Sequence, residues 1–219
     1  EALMVFIPLL WNTHEKEAAR AKWALVRAQL PHVAVAIGAG FLEFFPQLLY
    51  WKVVTGSWVY DVGSKWDFLN PHWRVLFGGE KGWFIYTPIT ILLVLGLFFM
   101  RGQPWRKSAL VFTLLNTWVI IAWHDWHYGG SYSSRALVQS YPVLALPFAA
   151  LLERAVASRW RWPTLALCGY LLVVNLFQIK QYNNTVIHYD RMNFAAYWAV
   201  YLDADPTDAD KARLNPPRR

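Results

Sequence analysis

The sequence has few charged residues and a single cysteine. Asp, Glu, Lys and Arg make up 16% of its 219 residues, against about a quarter in an average soluble domain. Hydrophobic residues make up 56%, which is too high for an ordinary soluble domain and favours a membrane protein. The one cysteine, Cys168, lies in an apolar run and excludes an intrachain disulfide. We interpret it as a small core residue.

A continuous basic face is also missing. The net charge is +7, but the Lys and Arg residues fall in short clusters between apolar runs. This arrangement is typical of membrane topology signals rather than of a nucleic-acid surface. We therefore expect membrane lipid, and no nucleic acid, as a partner.

A cleavable signal peptide is not recognisable either, because the chain lacks a basic start and a small-residue cleavage site. Residues 1–11 are rich in apolar side chains, but they are too few to cross a hydrocarbon core, which takes about 20 residues. We expect them to be the end of a spanning helix that begins upstream. The chain is then expected to be the C-terminal part of a longer protein.

The apolar runs that are present predict an all-α fold, a polytopic transmembrane helical bundle. Residues 12–30 have helical spacing of apolar side chains and predict an amphipathic helix on the membrane surface. Residues 56–82 predict an interfacial aromatic loop with a short helix near 70–78. Complete spans are expected at 31–55, 83–100, 108–123, 136–152 and 163–179, which makes about five full spans plus the end of a sixth.

Two regions follow from this reading. Residues 1–180 are expected to form the bundle, and residues 181–219 an extracytoplasmic tail with a short interfacial helix and a flexible end. Basic clusters in 12–30, 101–107 and 153–162 place those connections in the cytoplasm by the positive-inside rule. The loops 56–82 and 124–135, and the tail, are then extracytoplasmic.

The loop 124–135, HDWHYGGSYSSR, concentrates polar chemistry between two apolar runs. His124 and His127 are three residues apart, so one helical turn would aim both at a metal with Asp125 nearby. The alternative is ordinary hydrogen bonding at a helix end. A divalent metal is therefore possible, and no cofactor is certain. Gly129 and Gly130 predict a turn, with close approach to a ligand as the alternative.

Glu43 is the one strongly ionisable residue expected inside a span. A charge at that depth costs a few kcal/mol or more unless it is paired, so it should face the bundle interior or a wet cavity. Both a structural pairing role and a functional intramembrane site remain open for it.

Several stretches carry a resemblance to a known family. They are YWKVVTG (50–56), FLNPH (68–72), KGWFIYTP (81–88), WHYGGS (126–131), RAL (135–137) and HYDRM (188–192). Together they resemble multispanning bacterial membrane proteins of Bacteroidetes-type bacteria, described as glycosyltransferase-like and similar to the GT-C class, which uses polyprenyl-phosphate sugars. The resemblance covers nearly the whole chain.

The resemblance implies a GT-C-like bundle in the bacterial inner membrane, with its reaction chamber at the outer face. In that class the catalytic acid is in the first extracytoplasmic loop, which is expected upstream of Glu1, so the catalytic residues are unknown here. A departing lipid phosphate needs cationic donors near the outer interface. Arg135 and Lys81, each at the start of a predicted span, suit that role, and His127, Asp125 and His72 complete the predicted lipid-phosphate set.

Each of the two cations has an alternative. Interfacial anchoring, or pairing with a carboxylate such as Asp125 or Glu80, would also explain Arg135 and Lys81. The expected function is transfer of a sugar from a polyprenyl-phosphate donor at the extracytoplasmic face. The alternative is a non-catalytic scaffold that binds other membrane subunits through its aromatic outer surface. A transporter would need several ionisable mid-membrane positions, and Glu43 is the only strong one.

Overall fold

The computed structural model describes residues 2–60, 63 and 65–216. The protein is 65% helical, and the described residues form no strand, only an isolated bridge between Trp66 and Trp123. The predicted all-α class is therefore confirmed. Residue 1, residues 61, 62 and 64 of the predicted loop, and residues 217–219 of the predicted flexible end lie outside the described residues.

Packing divides the chain into two units, residues 12–65 and residues 1–11 together with 66–219. The smaller unit contains the helices α2, Lys16–Ala28, and α3, Leu30–Thr55. The predicted amphipathic helix and the first predicted span are both confirmed as helices. Pro46 lies inside α3, and no residue of α3 is buried. Its 26 residues give a length of about 39 Å, enough to cross a hydrocarbon core of about 30 Å.

The larger unit contains the remaining helices. They are α1 Phe6–Leu10, α4 Arg74–Phe77, α5 Trp83–Tyr86, α6 Ile89–Leu95, α7 Arg106–Ile121, α8 Tyr141–Val156, α9 Arg161–Asn183, α10 Phe194–Ala199 and α11 Asp208–Lys211. Short 3-10 helices occupy Ala2–Val5, Gly96–Phe99 and Arg135–Ser140. The short helix predicted near 70–78 corresponds to α4. The predicted boundary at residue 180 falls inside α9.

Within the described residues, three helical stretches are long and apolar enough to cross a membrane. They are α3, the continuous stretch Arg135–Val156 that ends in α8, and α9. Their length and composition indicate a membrane protein. The apolar stretch Ile89–Phe99 is shorter, and α7 has 16 residues. The expected number of spans therefore stays a prediction.

The predicted span 83–100 is wrong as a single helix. The chain leaves helical geometry at Thr87, with φ −134° and ψ 64°. The cause is Pro88, which lacks an N–H and disfavours helical geometry at the residue before it. After the break the chain packs closely on α8. The closeness is evident at Gly96, where an added Cβ would lie 2.1 Å from the carbonyl oxygen of Pro147.

The histidine loop and the basic turns lie at opposite ends of α7 and α8. The loop 124–135 follows the end of α7 and precedes α8, whereas the turns 101–107 and 153–162 lie at the other ends of these helices. Arg101 and Arg154, one from each basic turn, line a common cavity. The 16 residues of α7 separate the two ends by about 24 Å.

The N-terminal segment runs alongside α7 in the opposite direction. Trp11 stacks on Trp105 at the basic end, with ring centroids 5.4 Å apart. In the first turn of α7, the hydroxyl of Ser108 donates to the carbonyl of Ile7 over 2.9 Å. Leu3 reaches the end of α7 that precedes the histidine loop, where it lines a cavity.

The tail after α9 packs back onto the rest of the larger unit. Met192, Ala196 and Tyr197 form a buried cluster with Tyr86 of α5. The side chain of Asn193 accepts from the N–H of Ala196 and so caps α10. Part of the predicted flexible end is also bonded: residues 213 and 215 accept hydrogen bonds from the side chains of Asn193 and Arg191 at 2.8 and 2.6 Å.

Candidate functional site

The C-terminal end of α7 is capped by two loops. A helix leaves its last carbonyls without intrahelical partners, and here Ile120, Ile121 and Ala122 all find donors outside the helix. The hydroxyl of Tyr128 donates to Ile120 over 2.8 Å. The backbone N–H groups of residues 72 and 67 donate to Ile121 and Ala122 over 2.6 and 2.7 Å. These bonds hold the loops 66–73 and 124–135 together over the helix end.

Trp66 is fixed at this end by Trp123. The two residues form the isolated backbone bridge, and their rings meet edge to face with centroids 4.4 Å apart. The turn after Trp66 is closed by Asp67, whose carboxylate accepts from the N–H groups of Leu69 and Asn70. The side-chain hydrogen bond from Asn70, 2.9 Å long, lowers the pKa of Asp67. These contacts fix the position of Trp66, which lines the cavity beside the end of α7.

A cavity of about 650 Å³ lies beside this helix end. Its surface is mainly apolar, with one cationic side chain and a few neutral polar groups, and no acidic side chain lines it within the described residues. It is lined by Leu3, Trp66, Asn116, Val119, Ile120, Trp123, Tyr128, Arg135, Ala136 and Gln139. An apolar cavity with one guanidinium suits an amphipathic anion.

Arg135 supplies that guanidinium. It begins the 3-10 helix Arg135–Ser140, and its side chain is exposed. A Cβ placed on Gly129 would lie 3.6 Å from its Nη2 atom, so the guanidinium lies against the glycine turn. Neither Asp125 nor Glu80 forms an ion pair with it in the described part of the chain. Of the predicted lipid-phosphate residues, only Arg135 lines the cavity.

The loop backbone adopts left-handed conformations at three positions. Tyr128, Gly129 and Ser133 have φ values of 52°, 69° and 54°. Gly129 adopts this geometry at little cost, whereas it strains Tyr128 and Ser133 and must be held by surrounding contacts. The turn interpretation of the glycine pair is therefore supported at Gly129.

Lys81 forms hydrogen bonds to the backbone of this loop. Its side chain is only 3% exposed, and its ammonium group donates to the carbonyls of His127, at 3.0 Å, and Gly129. A buried charge is tolerated when its donors are used in this way. Lys81 thus organises the loop that carries Arg135, and its predicted phosphate role stays a prediction.

The other predicted site residues lie around Trp126. His127 places Nδ1 3.3 Å from the carboxylate of Asp125. The His72 ring stacks beside Trp126, with centroids 6.3 Å apart, and Trp126 lines a second cavity of about 240 Å³ together with Arg74.

The predicted metal pair does not gain a third ligand. His124 is exposed on the loop, and among the described residues no three His, Cys, Asp or Glu side chains are grouped as a metal site would require. Glu43 lies in the smaller unit, on the exposed surface of α3. Its intramembrane role stays a prediction.

A buried polar network fixes the far side of the loop. The hydroxyl of Tyr132 lies 3.0 Å from Oε1 of Gln178 and 3.3 Å from Nδ2 of Asn175. Gln178, only 1% exposed, also donates to the hydroxyl of Tyr197 over 2.9 Å. The network joins the loop to α9 and to the tail helix α10. Sequence reasoning missed it, although the two amides inside an apolar run were a usable signal.

The two loop tyrosines are neutral hydrogen-bonding groups. Burial raises the pKa of Tyr128 to about 12, so its hydroxyl keeps its proton and its bond to Ile120 at neutral pH. Burial likewise raises the pKa of Tyr132. The positive charge at the cavity is therefore not offset by phenolate.

Sequence reasoning also missed most of the cavity wall. Asn116 stands alone as an amide in the run 108–123, and it donates to the hydroxyl of Ser140 over 2.8 Å. That isolated amide was a readable signal. Trp123 and Gln139 gave none, because their position depends on how α7 and the 3-10 helix meet.

Fold and site together define an all-helical membrane protein with an amphipathic cavity at the end of α7. Comparison with protein-family models, with curated proteins and with solved structures found no match for this chain. The resemblance to glycosyltransferase-like proteins therefore stays a prediction.

Proposed function

We propose that this chain is a multi-pass protein of the bacterial inner membrane that binds a polyprenyl-phosphate sugar at its extracytoplasmic face for sugar transfer. The proposed bundle is GT-C-like, with about five full spans and the end of a sixth. The observation that supports it most directly is the cavity of about 650 Å³ in which apolar and indole walls lead to Arg135.

The cavity chemistry suits both parts of such a ligand. The polyprenyl chain requires apolar surface, which Leu3, Val119 and Ile120 supply together with the two tryptophans. The phosphate requires a cation, and a guanidinium pairs with phosphate through parallel hydrogen bonds. Asn116 and Gln139 add neutral polar groups at the same wall.

The proposed step is attack by an acceptor hydroxyl on the anomeric carbon of the donor sugar. The bond between that carbon and the phosphate oxygen breaks, and polyprenyl phosphate leaves with the bonding electrons. Arg135 stabilises the charge that develops on the departing phosphate. The acceptor proton passes to a general base, to which the proposal assigns no residue of this chain.

Binding of the lipid phosphate tests the proposal separately from turnover. We expect Arg135→Gln in the full chain in detergent to weaken binding of a polyprenyl phosphate by about tenfold to a hundredfold, because one charge-assisted contact is lost. Arg74→Gln is the matched control, since Arg74 is also exposed but lines the second cavity. Val119→Trp should block the apolar wall and weaken binding independently of charge.

Equal affinity of the Arg135 variant and the native chain would contradict the proposal. So would equal affinity for a polyprenol without phosphate, because the guanidinium would then have no role. Loss of binding in the Arg74 control alone would move the site to the second cavity.

The scaffold alternative is favoured by one feature, the exposed aromatic surface of α10. Trp198 is 62% exposed and Phe194 is 48% exposed, as expected for a docking face. This function would be supported if the chain binds no polyprenyl phosphate and Trp198→Ser releases co-purifying membrane subunits.

A further inference from the structure

A separate cavity lies at the basic end of the larger unit. Arg101 and Arg154 line one cavity of about 400 Å³ with Phe98 and Phe99. Both arginine side chains are exposed. No acidic side chain lines this cavity among the residues that the structure describes. Two cations that share a cavity in this way attract an anion.

The close packing of two elements brings these arginines together. Gly96 lies against the backbone of Pro147 in α8, since a Cβ on Gly96 would meet the Pro147 carbonyl at 2.1 Å. The segment after Gly96 therefore follows α8 toward its C-terminal end. As a result, Arg101 from the turn and Arg154 from the last turn of α8 line the same cavity.

An apolar groove adjoins the arginine cavity. Its volume is about 530 Å³, and it shares Phe99 and Arg154 with that cavity. Acidic side chains are missing from its described lining too. The groove is lined by Leu92, Leu95, Phe99, Leu151, Arg154, Ala155, Ser158, Trp160, Thr164 and Leu167. A cationic cavity continuous with an apolar groove has the two-part character of a lipid headgroup and its acyl chain.

The surrounding charges favour an anion at this place. The nearest acid in sequence, Glu153, lines a different cavity with Met100 and Trp105. Trp160 and Thr164 at the groove belong to the start of α9, where the helix dipole is positive. The C-terminal end of α8 is negative, and Arg154 in its last turn offsets that charge.

We propose that Arg101 and Arg154, with the adjoining groove between α6 and α9, bind one anionic membrane phospholipid. Its phosphate contacts the two guanidinium groups, and one acyl chain occupies the groove. Because this end of the unit carries the basic turns, the lipid comes from the cytoplasmic leaflet.

Lipid retention by the purified full chain tests the site. The chain is reconstituted in nanodiscs of phosphatidylcholine with or without phosphatidylglycerol, then extracted, and the retained lipid is measured by native mass spectrometry. We expect the native chain to retain one phosphatidylglycerol. The double variant Arg101→Gln/Arg154→Gln should bind phosphatidylglycerol with an affinity about thirtyfold lower. Leu167→Trp, which fills the groove, should also displace the lipid while leaving both arginines in place.

The matched control is Arg159→Gln/Arg161→Gln. It removes the same number of charges, both from the turn 153–162, but those arginines lie over the rings of Trp160 and Trp162, at 5.7 and 4.8 Å, and line neither the cavity nor the groove. We expect this control to retain the lipid.

Three results would overturn the proposal. Equal loss in both double variants would mean that only the overall surface charge matters. Equal retention of phosphatidylcholine would mean that no anion is recognised. Competition by millimolar inorganic phosphate, with no effect of Leu167→Trp, would mean that a free anion rather than a lipid is the ligand.

Discussion

At the scale of single residues, Lys81 shows how a polar side chain serves the site without lining it. Its sequence position at the start of an apolar run predicted a phosphate contact. The structure shows its ammonium group donating to backbone carbonyls of the histidine loop, and the phosphate contact stays a prediction. A lysine at an interface can take either partner, and the path of the loop supplies the carbonyls.

We expect Lys81→Met to destabilise the larger unit by roughly 1–3 kcal/mol, because the carbonyls of His127 and Gly129 lose their buried donor. Chemical unfolding and limited proteolysis of the loop measure the effect in detergent. Lys180→Met is the control, since Lys180 is exposed near the end of α9. An unchanged unfolding midpoint and unchanged loop cleavage would show that Lys81 does not hold the loop.

We expect His188 to give the tail a pH-dependent stability. Burial, and secondly the charge of Arg191, lower the pKa of His188 below its ordinary value of 6.5. Its Nδ1 atom accepts from the N–H of Asp190 over 3.1 Å, a bond that protonation of Nδ1 removes. The folded state thus binds this proton less readily than the unfolded state.

Stability from His188 is therefore complete above pH 6.5 and declines as the pH falls below 6.5 through the lowered pKa. His188→Asn keeps an acceptor near the Nδ1 position but does not titrate, so we expect it to flatten this part of the stability profile. Denaturation from about pH 7.5 to about pH 5 compares it with the native chain and with His124→Asn on the exposed loop. Identical slopes in all three chains would rule out a contribution from His188.

At the scale of helices, the sequence predicted apolar segments better than it predicted where they break. Residues 31–55 and 163–179 were expected as spans and lie in α3 and α9. Residues 83–100 were expected as one helix but divide after Tyr86. Hydropathy measures the solvent that a segment prefers, whereas the break depends on the local backbone restriction at Pro88.

The sequence likewise predicted some parts of the candidate site and missed others. The polar loop 124–135 and its Arg135 were readable because they interrupt apolar runs. The cavity was not, since Leu3, Trp66 and Gln139 come together from distant segments. The amides Asn175 and Gln178 were overlooked for a related reason: a polar residue in an apolar run signals burial, but its partner is set by tertiary packing.

The close contact between Gly96 and α8 can be tested by adding a methyl group at residue 96. We expect Gly96→Ala to destabilise the larger unit by about 2 to 4 kcal/mol, because its Cβ would overlap the backbone of Pro147, which has little freedom to move. Gly169→Ala in α9 is the matched control. Beyond the adjoining backbone of its own helix, no atom of the described residues lies within 4 Å of its added Cβ, so a gain of up to about 1 kcal/mol is expected from helix propensity. Equal effects in an unfolding titration would show that Gly96 does not set this approach.

At the scale of the whole molecule, two groups of charged side chains in the larger unit lie at opposite ends of α7. The larger unit places Arg135, Lys81 and the histidine loop at one end of α7, and the basic turns at the other. In the proposed orientation, the positive-inside rule places the basic turns on the cytoplasmic side. The sugar-lipid site and the phospholipid site would then serve different leaflets.

The orientation is testable with one cysteine at each end. The native Cys168 is replaced by Ala, and Lys107→Cys or Asp125→Cys is introduced in that background; both positions are exposed. In intact cells we expect a membrane-impermeant maleimide to label the Asp125→Cys variant, and to label the Lys107→Cys variant only after the membrane is opened. The physical reason is that Lys107 belongs to a basic turn, which the positive-inside rule holds in the cytoplasm. Labelling of both variants in intact cells, or of the Lys107→Cys variant alone, would contradict the orientation and remove the basis for an extracytoplasmic sugar-lipid site.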